Sequence, residues 1–82
     1  MIQIQPYITT DQQLTATQLD ISNLPETDAW VVIVWTLYDA LGAYIDTGNY
    51  TLTGDDLAAW QADSEYGETY VMNQKGISLL NH

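Results

Sequence analysis

Eighty-two residues carrying 11 acidic side chains, one basic side chain (Lys75) and no cysteine are expected to form a single domain over residues 1–82, with no disulfide and no four-cysteine zinc site to staple it. The formal charge of -10 argues against direct binding to DNA or RNA, because neutralising phosphates takes Lys and Arg, and makes an anionic membrane surface an equally poor partner. A basic protein partner, a divalent cation that offsets the self-repulsion, and a solvated acidic surface remain open.

The first segment, Ile2 to Ile8, alternates, with Ile2, Ile4 and Ile8 on one side and Gln3, Gln5 and Tyr7 on the other. Pro6 interrupts it and lacks an N–H, which places the strand at a sheet edge or bends it there. Thr9, Thr10, Asp11 and Gln12 form a polar turn, and no basic stretch or long apolar run precedes Asp11, so no signal peptide is expected. A second strand runs from Leu14 to Ile21, with Thr15, Thr17, Leu19 and Ile21 in one row and Leu14, Ala16, Gln18 and Asp20 in the other. A row only half apolar suits a strand with its back to water. Ser22 to Asp28 is a linker in which Pro25 holds Leu24 extended, in position to plug the bottom of a core.

The stretch from Ala29 to Tyr38, AWVVIVWTLY, is bracketed by Asp28 and Asp39 and holds the densest run of large apolar residues. It falls short of the about 20 apolar residues that a membrane helix needs. The β-branched Val31, Val32, Ile33, Val34 and Thr36, with the rings of Trp30, Trp35 and Tyr38, suit a pleated strand. Trp30, Val32, Val34, Thr36 and Tyr38 then share one face, and Val31, Ile33, Trp35 and Leu37 the other. Both rows are apolar, so this central strand asks for cover on two sides.

Asp39, Ala40, Leu41 and Gly42 read as a hairpin turn, with Gly42 able to supply a positive φ. The return strand is Ala43 to Leu52, where Gly48-Asn49 is expected to form a bulge, a second small hairpin being the alternative, and Tyr44, Tyr50 and Leu52 face the central run. Thr53 reads as an N-cap, with Asp56 as a short-armed capping-box partner and Leu57 to Trp60 following as helix. A second helix, Glu65 to Gln74, is capped by Asp63 or Ser64 and ended by Gly76, with Ile77 folding back on its last turn. Leu79 and Leu80 form a last short strand or an apolar tail. The fold class is α+β: an antiparallel sheet of about four strands with two short C-terminal helices packed on one face.

Little points to catalysis, and the expectation is a non-enzymatic chain with no cofactor and no metal. The single histidine, His82, is the last residue, and the glycines are spaced as turn and cap residues rather than as a phosphate loop. Asp55, Asp56 and Asp63 lack the alternation of an EF-hand loop, and placement near a helix start is reason enough for the first two. The aromatic residues are more informative. Trp60, Tyr66 and Tyr70 read first as a helical lid over the sheet and second as interface material, and Trp35 joins them as an interface candidate because two short helices can roof only one strand face.

The C-terminal half, TLTGDDLAAWQADSEYGETYVMNQKGISL, resembles small proteins encoded in tailed-bacteriophage genomes. The resemblance rests on Leu52 to Gly54, Asp55 with Asp56, Trp60, Asp63 with Glu65, Tyr66 with Tyr70, and Gly76 with Ile77. It spans about Tyr50 to Leu80, and its motifs are structural. It implies an accessory protein of the particle, such as a head decoration, neck or tail component, assembled in the host cytoplasm and contacting virion proteins or further copies of itself. The alternative from another class is an acidic DNA mimic that inhibits a host nucleic-acid-binding protein, its carboxylates in two rows at phosphate-like spacing. A hydrolase using Asp55, Asp56 or Asp63 is a third reading, and it requires a pocket that holds two of them.

Overall fold

The computed structural model describes residues 2–9 and 14–80; Thr10, Asp11 and Gln12 of the first turn, and His82, lie outside the described residues. Strands β1 (Ile2–Ile8), β2 (Thr15–Asn23), β3 (Trp30–Tyr38) and β4 (Tyr44–Thr53) pair antiparallel in the order β1-β2-β3-β4, and α1 (Gly54–Ala62) and α2 (Tyr66–Lys75) come after them. Short connections leave each strand beside its sequence neighbour, so the sheet is a meander. Both helices pack on one face, where Leu57 and Val71 join a core with Leu19, Val31, Ile33, Trp35, Leu37 and Leu52.

β3 is central because β4 flanks it from Trp30 to Tyr38 and β2 from Ile33 to Tyr38, with Leu19 opposite Leu37 and Leu52 opposite Val31. Burying each of these aliphatic side chains stabilises by about 1.5–3 kcal/mol. The turn after β3 forms as its residues dictate. Asp39 Oδ1 accepts the N–H groups of Leu41 and Ala43 at 2.9 Å each, and Gly42 adopts φ 84.

The edges depart from simple alternation. Between Gln3 and Tyr7 the β1–β2 register shifts, at the stretch holding Pro6, and the row of side chains flips. Ile4 is buried, Tyr7 packs against the core, and Ile8, expected in the row of Ile2 and Ile4, is 64% exposed. Ala16 and Leu19, expected in opposite rows of β2, are both buried for the same reason. The outer edge of β1 is stitched by the C-terminal segment: Gln5 N–H donates to Ser78 O at 2.9 Å, Leu80 N–H to Gln3 O at 3.1 Å, and Leu79 bridges Ile4. Leu24 does not plug the core. It is 52% exposed, its N–H donates to Val32 O, and continuing the ladder one step sets it opposite Val32.

The bulge expected at Gly48-Asn49 lies instead where Tyr38 pairs with Tyr44 and Leu37 with Asp46, so that Ile45 turns inward and Tyr44 faces out, 61% exposed. Gly48 stays in register opposite Trp35, and its function is clearance. A Cβ built on Gly48 would lie 2.8 Å from Cε2 of the Trp35 indole and closer still to Cζ2. On the same ring sits the ammonium of Lys75, 3.9 Å from a ring centroid and 5.7 Å from that of Tyr7. Lys75 is also the last residue of α2, where the helix dipole favours a cation.

At the helix starts, Thr53 occupies the N-cap of α1 in an extended conformation, but its hydroxyl makes no capping hydrogen bond, and Asp56 bonds elsewhere. α2 begins one residue later than expected, with Asp63 Oδ1 accepting Glu65 N–H at 3.1 Å. Its end is as the residues suggest: Gly76 has φ 73, and Ile77 folds back, buried, with its N–H on Met72 O at 2.9 Å.

Two substitutions probe the Trp35 contacts. Gly48→Ala forces the indole out of place and should cost about 2 kcal/mol in urea unfolding. Lys75→Met keeps the aliphatic stem but removes the charge over the ring, and should cost about 1 kcal/mol.

Candidate interaction surface

Alternation along β3 produces two apolar rows, and the helices cover one. The covered row is Val31, Ile33, Trp35 and Leu37, each at most 7% exposed. The opposite row, Trp30, Val32, Val34, Thr36 and Tyr38, has no helix over it; Trp30 is 46% exposed and the rest are half-buried by neighbouring strands. The register brings Ser22 beside Val34, Asp20 beside Thr36 and Gln18 beside Tyr38 from β2, and Thr53, Thr51, Asn49 and Thr47 beside Trp30, Val32, Val34 and Thr36 from β4. Thr36 and Thr47 hydroxyls meet at 3.2 Å on this face, and Gln3 Nε2 donates to Gln18 Oε1 at 3.3 Å. The result is an apolar stripe flanked by hydroxyls and amides, with one carboxylate, Asp20, beside Thr36.

Charge is kept away from it. Glu26 and Asp28 lie in the β2–β3 loop, Asp39 in the turn, Asp46 at the β4 bulge, Asp55 and Asp56 in the first turn of α1, Asp63 and Glu65 at the helix junction, and Glu68 in α2. Among the described acids, Asp20 alone stands within the face, paired across the ladder with Thr36.

The aromatic residues singled out from sequence all belong to the helical side. Trp35 is 7% exposed beneath Lys75, so its surface is spent within the chain, and the strand tryptophan that reaches solvent is Trp30. Periodicity could separate these two rings but not say which the helices would cover. Trp60, Tyr66 and Tyr70 are half-buried against the core, with Tyr70 edge-on to Tyr50 at 5.6 Å and tilted to Tyr66 at 6.2 Å. Tyr66 Oη donates to Asp56 Oδ1 at 2.6 Å, the contact that takes Asp56 from its expected capping role. This hydrogen bond, reinforced by burial and the Asp56 charge, raises the Tyr66 phenol above the usual 10.0, and burial first, then Tyr7 and Tyr70, raises Tyr50 likewise.

A cavity of about 170 Å³ opens between the end of β2 and the start of α2, lined by Ile21, Ser22, Asn23, Ile33, Trp60, Ser64, Gly67 and Glu68. It is smaller than the about 300 Å³ at which small-molecule sites begin. One carboxylate, Glu68, reaches its wall, and Asp55, Asp56 and Asp63 do not line it. Among the described residues no group of three or more His, Cys, Asp or Glu is placed to hold a metal ion, and no helix is long and apolar enough to cross a membrane. Comparison with known proteins finds no family model, curated protein or solved structure that matches the chain.

The raised phenols make an alkaline prediction. Folding retains protons that the unfolded chain releases, so this stabilisation is complete below a pH of about 10 and is lost as pH rises through the raised values. Urea midpoints should fall from about pH 9 to about pH 11, and Tyr66→Phe, which cannot ionise there, should flatten the fall. Equal slopes for the two proteins would remove Tyr66 as a cause.

Proposed function

We propose that the chain is a non-enzymatic accessory protein of a tailed-bacteriophage particle, a head decoration, neck or tail component that works by occupying the surface of another protein chain. The observation that carries this reading is the outer sheet face: a stripe of Trp30, Val32, Val34 and Tyr38 beside which Asp20 is the one described acid. Contiguous exposed apolar surface rimmed by polar residues is the mark of a contact site, and desolvating a face nearly free of carboxylates costs little. The resemblance of Tyr50 to Leu80 to small phage proteins supplies the setting, with assembly in the host cytoplasm and virion proteins or further copies of the chain as partners.

The DNA-mimic alternative draws on the same charge of -10, but it needs carboxylates in rows. The described acids instead occupy β2, the β2–β3 loop, the β3–β4 turn, the β4 edge, the helix junction and both helices, a scatter that favours attachment through the face where Asp20 is the one described acid.

Particles banded from a lysate of the encoding phage should contain the chain at a fixed ratio to a major virion protein, measured by quantitative mass spectrometry. Val34→Asp, introduced into the phage genome, should deplete it from the particle while leaving the free protein folded. Wild-type particles without the chain would overturn the assignment.

A further inference from the structure

The outer sheet face could be met by a foreign protein or by another copy of the same chain. We propose that its occupant is a second copy, packed sheet to sheet in a symmetric dimer; this rests on the reading of the outer face as a contact surface and names the partner. Four features of the molecule lead there.

The first is what the edges forbid. A β protein can also self-associate by adding strands, but β1 is closed by the bridge between Ile4 and Leu79. The β4 edge carries a bulge and a carboxylate, Asp46, whose Oδ1 takes the N–H of Thr47 at 2.9 Å. Bulges and edge charges are the usual devices against edge pairing. Growth is thereby directed to the face.

The second is size. A nine-residue strand such as β3 runs about 30 Å and four strands span roughly 20 Å, giving a footprint of about 600 Å² that side-chain relief carries toward the about 800 Å² per partner of a stable interface. The molecule measures 37 × 26 × 19 Å, and its thin dimension is one sheet plus one helical layer. A second molecule against the sheet completes the burial that β3 lacks.

The third is charge. Two copies at -10 each repel, so a self-contact has to be a surface from which like charges are withdrawn. The outer face meets that condition, with Asp20 as the single described acid within it. A partner selected for basic charge would be matched by the helical side and the loops, where the acids are, and not by this face.

The fourth is self-complementarity. An isologous contact with aligned sheets crossing at about 30° lays β3 over its counterpart. Val32, Val34 and Thr36 of both copies meet at the centre, and Trp30 and Tyr38 reach over the partner at the ends. Ser22, Thr47, Asn49 and Thr51, short side chains beside the centre of the stripe, let the two sheets approach, with Tyr44 beside Tyr38 at one end.

Sedimentation equilibrium of the purified chain at micromolar concentration tests this. A dimer is expected, and its dissociation constant should fall as salt rises from about 20 mM to about 300 mM, because screening relieves repulsion between two acidic bodies. Val34→Asp should weaken the dimer by at least about 100-fold, since symmetry buries the carboxylate twice. The double change Val32→Thr with Val34→Thr, which keeps shape and strand preference, should weaken it with an unchanged circular-dichroism spectrum and serves where the Asp variant fails to fold. A wild-type monomer at every salt and concentration overturns the dimer, as does a dimer indifferent to both sets of changes. A monomer that still enters particles, and loses entry with Val34→Asp, overturns the second copy alone and leaves the contact-surface reading standing. A dimer with no chain in the particles does the reverse.

Discussion

The arrangement depends on where one indole is placed. Trp35 is the largest side chain on the inner face of β3, and it fits because Gly48, directly opposite on β4, presents no Cβ beneath it. A slip of the β3–β4 ladder by one residue would set Thr47 or Asn49 there instead, so the ring holds the register as well as filling the core. The Thr47 hydroxyl, donating to Trp35 O at 2.8 Å, ties the same two strands from beside it. The indole N–H finds no protein partner, the one such buried side-chain atom among the described residues. Leaving it unpaired costs about 1–3 kcal/mol, which the Lys75 ammonium over the ring partly offsets.

That cation also fixes the path of the C-terminal segment. Lys75 closes α2, Gly76 reverses the chain, Ile77 enters the core and Leu79 bridges to Ile4. The Trp35–Lys75 contact therefore sets the start of the segment that closes the free edge of β1.

Much of this was legible in the residues. The solid run of β3, the Asp39–Gly42 turn and the Gly76 stop rest on local chemistry and form where that chemistry puts them, and the two helices follow it with α2 shifted by one residue. What escaped depends on pairing between distant segments. Gly48 beside Asn49 has the look of a bulge, but only the approach of Trp35 shows that the glycine provides clearance. The actual irregularities, between Gln3 and Tyr7 and at Ile45 with Asp46, flip side chains that simple alternation assigns to the other face. Thr53 and Asp56 spell a capping box, yet Tyr66, ten residues further on, takes the carboxylate. The uncovered strand face was legible only in part. Two apolar rows on β3 can be read from alternation, but the row that the helices cover is set by packing with residues remote in sequence, Leu57 and Val71 among them.

Placing the single basic residue inside the chain has an electrostatic consequence that reaches the surface. With Lys75 held over Trp35, the described loops, turns and helix starts carry negative charge with no basic neighbour of their own. Like charges so distributed keep copies apart at loops and helices, and screening confines that repulsion to about 8–10 Å at moderate salt. The outer face of the sheet has one described acid, Asp20, and carries the apolar row of Trp30, Val32, Val34 and Tyr38. Approach in other orientations brings carboxylates together, whereas approach along the face removes valine and tryptophan from water at the cost of one acid, Asp20, per molecule. In the proposed dimer the acids would orient association without forming its contacts, because the row of β3 that the helices do not reach has one described acid, Asp20, beside it.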